Sequence, residues 1–285
     1  MRTCAFLTTD DLDGYVTDDQ LAETAMAEIG WRVEHVPWRQ GGWERYEAAV
    51  IRSTWDYHKH PEEFLAALEQ IGRAGVRLAN PLEVVRWNAR KTYLRDLEAR
   101  GLPVVPTLWN PRPDESLFDE LGTDEIVIKP VVSASAFHTY RLRRGDEMEA
   151  AVADREVMVQ PFLRSIVEEG EYSLFFFGGE LSHAVLKSPK AEDFRVQEEH
   201  GGLIRRVDPP AALVDLGHRI VESLPAPTLY ARVDLARLDS GEYALMELEL
   251  IEPSLYFRTD PESPRRFARA FESWMISSPP DAPSS

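Results

Sequence analysis

Residues 230–251 read Y-A-R-V-D-L-A-R-L-D-S-G-E-Y-A-L-M-E-L-E-L-I. Two apolar runs flank D-S-G-E at 239–242, a turn signal that predicts an antiparallel hairpin. Side chains alternate faces along a strand, so Glu247 and Glu249 share one face while Met246, Leu248 and Leu250 take the other. Asp234, in V-D-L on the partner run, brings a third carboxylate to the same hairpin. Charges inside apolar β runs need partners. An oxygen-ligand site for Mg²⁺, completed by phosphate oxygens and water, is one resolution. A half-exposed strand with a solvated polar face is the other, because E-L-E-L is also the alternation of a surface strand.

Working back from this hairpin, Y-S-L-F-F-F-G-G-E-L-S-H-A-V-L-K (172–187) predicts another, with a Gly-Gly turn. A polar loop then runs to Gly202, and a helix is expected over Pro210–Ser223. Further upstream, E-I-V-I-K-P (125–130), T-Y-R-L (139–142) and V-M-V-Q-P-F (157–162) are strand candidates, after a β-rich start at L-P-V-V-P-T-L-W (102–109). P-D-E-S-L-F-D-E-L (113–121) and D-E-M-E-A-A-V (146–152) are the helices among them, and one helix is expected over Val85–Ala99. In the first 84 residues T-C-A-F-L-T-T-D, R-V-E-H-V-P-W and Y-E-A-A-V-I-R-S read as strands. They alternate with helices at Asp18–Gly30 and at 61–72, the latter ended by Gly72. That alternation implies a parallel sheet with covered faces. The expected organisation is an N-terminal open α/β domain (1–84), a small α+β subdomain (85–163) and a C-terminal β-rich subdomain (164–277). A last helix ends near Ile276, and 278–285 form a disordered tail.

The 285 residues carry 49 acidic and 32 basic side chains, a formal charge of −17. Such a surface repels a phosphate backbone, which argues against nucleic-acid binding, and a polyanionic ligand needs local cations. No run reaches the roughly 18 apolar residues of a membrane span. The N-terminal apolar run is too short for a signal peptide, so no membrane association and a cytoplasmic location are expected. Cys4 is the single cysteine, which rules out an intramolecular disulfide and a Cys-rich metal site, and its apolar surroundings suit a core residue.

Nucleotide and hydrolase signatures of the form G-x-x-x-x-G-K-[ST], G-x-G-x-x-G, G-x-S-x-G and H-E-x-x-H are absent. Lys129, ending E-I-V-I-K-P, and Lys91, in W-N-A-R-K-T-Y-L, are the candidate phosphate contacts, since a lysine offers phosphate a point charge. Each has a plain alternative, a solvated helix face for Lys91 and a structural lysine for Lys129. The small residues after Lys129, V-V-S-A-S-A-F-H-T with Ser133 and Ser135, offer backbone N–H groups to phosphate oxygens. In the N-terminal domain R-S-T-W-D (52–56) ends a strand, where open α/β sheets place ligands. Arg52, with Ser53 beside it, suits a substrate carboxylate and Asp56 a substrate ammonium group. An internal Arg–Asp pair under Trp55 is the alternative. Thr8, Thr9 and Asp10 are weaker candidates, Ser254 is a further one, and His58 and His60 read as solvent-facing helix-start residues.

The order of Lys91, Lys129, V-Q-P-F-L, G-E-Y-S, K-S-P…F-R-V-Q…G-G and D…E-L-E…P resembles the ATP-grasp enzymes, closest to their glutathione-synthetase-like branch. The likeness covers about residues 85–257. I-R-S-T-W-D-Y and N-P-L-E-V-V-R-W-N-A-R-K are similar to a bacterial subgroup that includes the D-cycloserine cyclo-ligase. The resemblance implies the ATP-grasp fold, with an ATP-lid subdomain and a metal site on the C-terminal subdomain. It also implies ATP and Mg²⁺ as cofactors. It makes Lys91 and Lys129 phosphate lysines, the backbone of Gln160, Pro161, Phe162 and Leu163 the adenine contact, and Glu171 the ribose contact. It makes Arg195 the arginine facing the transferred phosphoryl group, Lys187 a second basic position, and Asp234, Glu247 and Glu249 the magnesium ligands. The family commonly has asparagine where this chain has Glu249, and a glycine-rich loop where this chain has V-V-S-A-S-A-F. The extra charge is expected to alter metal binding, and the stiffer loop to slow closure.

The implied activity is an ADP-forming carboxylate–amine ligase working through an acyl phosphate on a small, amino-acid-like substrate. Its partners are small-molecule carboxylates and amines, and the resemblance leaves room for a homodimer. A small-molecule kinase has the same ATP apparatus, and a non-catalytic ATP-binding regulatory module is the alternative outside enzymes.

Overall fold

The structure, a computed structural model, describes residues 1–133, 138–152, 155–191 and 193–277. Ser135 and the expected tail at 278–285 lie outside the described residues.

Strands β1 (Arg2–Thr8), β2 (Trp31–Pro37), β3 (Ala48–Ser53) and β4 (Arg77–Ala79) form a wholly parallel sheet in the order β2-β1-β3-β4. Helices α1 (Asp19–Glu28) and α2 (Pro61–Arg73) make the crossovers. β3 is buried along its whole length, which is why it reads as a continuous apolar run. β4 escapes sequence reading because R-L-A is too short to show a period. Helix α2 continues past Gly72 to Arg73, and the chain turns at Gly75 with φ +75°.

The single helix expected over Val85–Ala99 is two, α3 (Leu82–Asn88) and α4 (Tyr93–Ala99). In the break between them the Lys91 N–H donates to the Val131 carbonyl at 2.9 Å instead of to a helical one. A four-stranded antiparallel sheet follows, ordered β5-β8-β6-β7. Its strands are β5 (Leu108–Trp109), β6 (Glu125–Pro130), β7 (Tyr140–Arg143) and β8 (Val157–Pro161), and α5 (Ser116–Leu121) and α6 (Glu149–Val152) cover it.

After the short α7 (Arg164–Glu168) come β9 (Glu171–Phe177), β10 (Glu180–Ser188), β11 (Leu203–Val207), α8 (Ala211–Glu222), β12 (Tyr230–Arg237), β13 (Tyr243–Glu249) and α9 (Ser263–Ile276). The strands form an antiparallel sheet ordered β11-β10-β9-β12-β13. The expected polar loop before Gly202 holds a 3-10 turn at Glu198–His200, and β11 lies beyond it. β11 was hidden because it is the sheet's half-exposed edge, where L-I-R-R-V carries too little apolar pattern.

The N-terminal sheet is not packed as a separate body. Its inner face shares one apolar cluster with β9, β10 and α9, in which Phe6 and Trp31 meet Phe175, Phe267 and Phe271. The Trp31 and Phe271 rings stand edge to face at 4.9 Å. Asn80 fastens the same junction: its amide N–H groups donate to the Tyr230 and Leu250 carbonyls at 2.9 and 2.8 Å, and its oxygen accepts from Leu229 N–H at 2.7 Å. Buried backbone groups at the meeting of two sheets are thus satisfied by one side chain. No helix among the described residues is long and apolar enough to cross a membrane.

Candidate active site

A cleft opens between the β5–β8 sheet, the β12–β13 hairpin and the end of β3, and most of the residues singled out above line it. The hairpin register places Asp234 opposite Glu247 and Arg232 opposite Glu249. Strand alternation turns these four toward the cleft and sends Val233, Leu235, Leu248 and Leu250 into an apolar cluster behind. The solvated-face reading is therefore set aside: Asp234 is buried, and its neighbours are only partly exposed.

β13 is an edge strand, and side chains close its open edge. Asn88 donates to the Leu248 carbonyl and accepts from the Leu250 N–H, both at 2.9 Å, while the Leu248 N–H donates to the Tyr93 hydroxyl at 2.9 Å. These bonds hold the break between α3 and α4 against β13, which delivers Lys91 to Glu247. The Lys91 ammonium also donates to the Ser133 carbonyl at 3.2 Å, tying the chain just after β6 to the same point.

Each carboxylate of the hairpin has a cation. Asp234 takes Arg232 at 2.9 Å and Lys187 at 3.4 Å, with Ser173 donating its hydroxyl. Burial alone would raise the Asp234 carboxyl, but Arg232 and Lys187 hold it below the usual range. Glu247, half-buried, is held down by Lys91 and Lys129, which outweigh the effect of its burial. For Glu249 burial wins: with Glu247 and Asp234 adding repulsion, its carboxyl is pushed up even though Arg232 pairs with it. Lys129 stands on β6 in the cleft wall without an ion pair or hydrogen-bonded acceptor among the described residues. Burial, reinforced by Lys91, lowers its pKa, as expected of a cation awaiting an anion.

At the other end Val105, Val127, Phe162, Leu163 and Met246 form an apolar slot beside Gln160, whose amide donates to Thr107 at 2.9 Å. The adenine expectation narrows here. Pro161 has no N–H and the Phe162 N–H donates to the Glu125 carbonyl at 2.9 Å, which leaves Leu163 as the segment's backbone donor. Arg195 lines the cleft from the loop before β11, its guanidinium bound to Asp193 at 3.0 Å.

Two sets of expected residues have partners within the protein. Glu171, expected as a ribose contact, lines the cleft, where it is buried and ion-paired with Lys187, directly opposite it in the β9–β10 register. The preceding Gly170 sits at φ +121°, where a Cβ would come 2.8 Å from the Lys187 carbonyl, so glycine allows this close approach. Arg52, Ser53 and Asp56 are not brought to the cleft wall. The Arg52 guanidinium is buried on Asp19 at 2.9 Å, Ser53 bonds Thr8, and Asp56 accepts from Trp38 at 2.8 Å and Arg39 at 2.6 Å. The internal-pair alternative holds for Arg52, with Asp19 as the partner in place of Asp56. Trp55 and Ser254 do line the cleft, and His58 is half-buried with its Nδ1 2.9 Å from the Trp55 carbonyl.

Sequence reading missed Arg232 and Glu252. Arg232 lies two residues before Asp234, so period two already put it on the carboxylate face; reading the run for acids alone hid it. Glu252 lies beyond the end of β13, where no period extends.

Among the described residues no three carboxylates converge as a finished metal cage. The donor set itself, Asp234, Glu247 and Glu249 on one face, is all oxygen and suits Mg²⁺ with phosphate oxygens completing its shell.

A model of the N-terminal domain of D-cycloserine synthetase DcsG matches residues 4–80. The cycloserine biosynthesis protein DcsG of Streptomyces lavendulae is 31% identical over 268 residues, covering 85% of this chain and 88% of that one. The crystal structure of D-cycloserine synthetase DcsG superposes with a TM-score of 0.81 at 28% identity, over 96% of this chain and 99% of that one. A D-alanine–D-alanine ligase from Bacillus anthracis shares the fold at a TM-score of 0.69 and 12% identity, over 97% and 98% of the two chains.

Proposed function

We propose that this chain, which belongs to the ATP-grasp ligases, ADP-forming enzymes that make C–N bonds, joins a small amino-acid-like carboxylate to an amine through an acyl phosphate. The observation that carries the reading is Lys129, a cleft cation without a carboxylate of its own, facing a hairpin whose carboxylates are oxygen donors. The relatives' names, a D-cycloserine synthetase and a D-alanine–D-alanine ligase, support an amino-acid-like substrate.

In this reading the apolar slot takes adenine, with the Leu163 N–H as its backbone donor. Lys129 and Lys91 hold phosphate oxygens, Lys91 by sharing itself between Glu247 and the ligand. Mg²⁺ held by Asp234, Glu247 and Glu249 would supply charge neutralisation for the phosphates. A substrate carboxylate oxygen attacks the γ-phosphorus, the bond to the β–γ bridging oxygen breaks, and ADP leaves. The amine then attacks the acyl carbon, loses a proton, and phosphate departs with the former carboxylate oxygen. Arg232 and Arg195 are the fixed positive charges for the developing oxyanion, and such preorganised charge is worth about 10²-fold or more in rate. Lys187, locked between Glu171 and Asp234, holds Asp234 in place.

The test follows an atom. With a carboxylate substrate labelled with ¹⁸O, label should enter inorganic phosphate, ADP should be the co-product, and Arg195→Ala should suppress both. AMP and pyrophosphate would mean adenylation and overturn the reading. ADP with a stable phosphorylated product would mean a kinase.

A further inference from the structure

We propose that Glu252 is the seat of a substrate ammonium group, so that the acid activated in this cleft is an amino acid or a derivative keeping its free amine; this rests on the ligase reading above. Of the carboxylates on the cleft wall, Glu171 is bound by Lys187, Asp234 and Glu249 by Arg232, and Glu247 by Lys91. Glu199 stands at the exposed rim, where water suffices. Glu252 is the exception: it is half-buried on the wall, and its carboxyl has its own backbone N–H beside it but no ion pair and no hydrogen bond to another residue among the described residues.

Its position is fixed. The Trp55 indole N–H donates to the Glu252 carbonyl at 3.0 Å, so the loop after β3 clamps this residue where the N-terminal sheet meets the end of β13. Trp55 and Tyr57 line the same end of the cleft, and Tyr15 backs Trp55 with ring centroids 4.9 Å apart. A carboxylate among aromatic faces fits an ammonium group, which gains both a charge-assisted hydrogen bond and ring contact. It does not fit a second magnesium, which demands several oxygens at once.

Burial, with Glu249 adding repulsion, pushes the Glu252 carboxyl up to about 8, the cost of a charge left without a partner. Arg232 and Lys91 act on it electrostatically but are bonded to other carboxylates. A zwitterion spanning the cleft would set its carboxylate toward Arg232 and its ammonium on Glu252. That orientation would present the carboxylate to the phosphate end and let a strongly acidic chain distinguish an amino acid from a simple acid.

The experiment measures binding and turnover separately. Alanine and serine, each as both enantiomers, are compared with their deaminated counterparts propanoate and 3-hydroxypropanoate. Affinity is read by calorimetry in the presence of Mg²⁺ and a non-hydrolysable ATP analogue, and phosphate release is followed with ATP. The wild type should bind at least one amino acid more tightly than its deaminated partner. Glu252→Gln should weaken that amino acid by about 10- to 100-fold and leave the deaminated acid and the nucleotide unchanged, while Glu252→Asp keeps part of the preference. The inference is overturned if no amino acid is preferred or none binds, if the preference survives in the Gln variant, or if that variant weakens both kinds of acid alike. Binding that depends on Glu252 without phosphate release keeps the seat and overturns the ligase reading. Phosphate release indifferent to the amine does the reverse.

Discussion

Replacing Arg232 by methionine keeps the length of the side chain and removes the charge that Asp234 and Glu249 share. Losing one partner of a buried ion pair costs about 3–5 kcal/mol, since it strands the other charge. Two features of the site move the expectation to the lower end. Lys187 stays 3.4 Å from Asp234, and Glu249, whose carboxyl burial already pushes up to about 7, can take a proton instead of remaining stranded. We therefore expect a loss of about 3 kcal/mol at pH 8, shrinking as the pH falls and Glu249 is neutralised. Urea unfolding in metal-free buffer reads this directly. Added Mg²⁺ should then stabilise the variant more than the wild type, because the guanidinium no longer competes for the same oxygens. At ten times its dissociation constant the ion returns about 1.4 kcal/mol. A variant that unfolds with the wild type in metal-free buffer would show that Arg232 is not the counter-charge. An equal Mg²⁺ response in both proteins would show that Asp234 and Glu249 do not hold the ion.

Lys129→Met keeps the apolar stem and removes the unpaired cation; ATP should bind about 10- to 100-fold more weakly while adenosine is unaffected, and equal weakening of both by calorimetry would make the residue structural. Asn88→Ala strips two hydrogen bonds from the edge of β13, one each way, at a cost of about 2–4 kcal/mol in urea unfolding; no measurable loss would mean that water replaces the amide. His183 is buried against Phe175 with its Nε2 3.0 Å from the Leu255 carbonyl, and burial holds its pKa down at about 4 against an ordinary 6.5. It binds fewer protons folded than unfolded, so its contribution is complete above pH 6.5 and is lost as the pH falls toward 4, by about 3 kcal/mol in all. A His183→Gln variant should lose that slope, and an unchanged slope would assign it to other groups.

Features set by local period are legible in the sequence. The alternation in M-E-L-E-L-I placed Glu247 and Glu249 on one face, and the apolar runs of β1 and β3 announced a buried parallel sheet. What stayed hidden is set by distant partners. The break between α3 and α4 has no proline or glycine to mark it; it exists because Lys91 finds Val131 and Glu247 elsewhere in the chain. Arg52 looked like a substrate arginine at a strand end, yet Asp19, from the start of α1, claims it. Glu171 looked free in G-E-Y-S until the β9–β10 register put Lys187 opposite it. In each case the missing information was the identity of a counter-charge, which a sequence read residue by residue does not carry.

Those counter-charges also bear on what can enter the cleft. Among the described residues five cations line it, Lys91, Lys129, Lys187, Arg195 and Arg232, against six carboxylates, Glu171, Glu199, Asp234, Glu247, Glu249 and Glu252. On a chain of net charge −17 this is local relief, not a positive pocket. Free ATP would meet a wall that is formally negative by one, with most of its cations already engaged. On the proposed reading Asp234, Glu247 and Glu249 would hold the divalent cation that accompanies the nucleotide, which would free Lys91 and Arg232 to face phosphate and substrate. The same exchange would leave Glu252 untouched, since among the described residues it pairs with no cation. On the proposed reading metal and nucleotide therefore enter as one unit, and the amine of the substrate supplies the last missing charge.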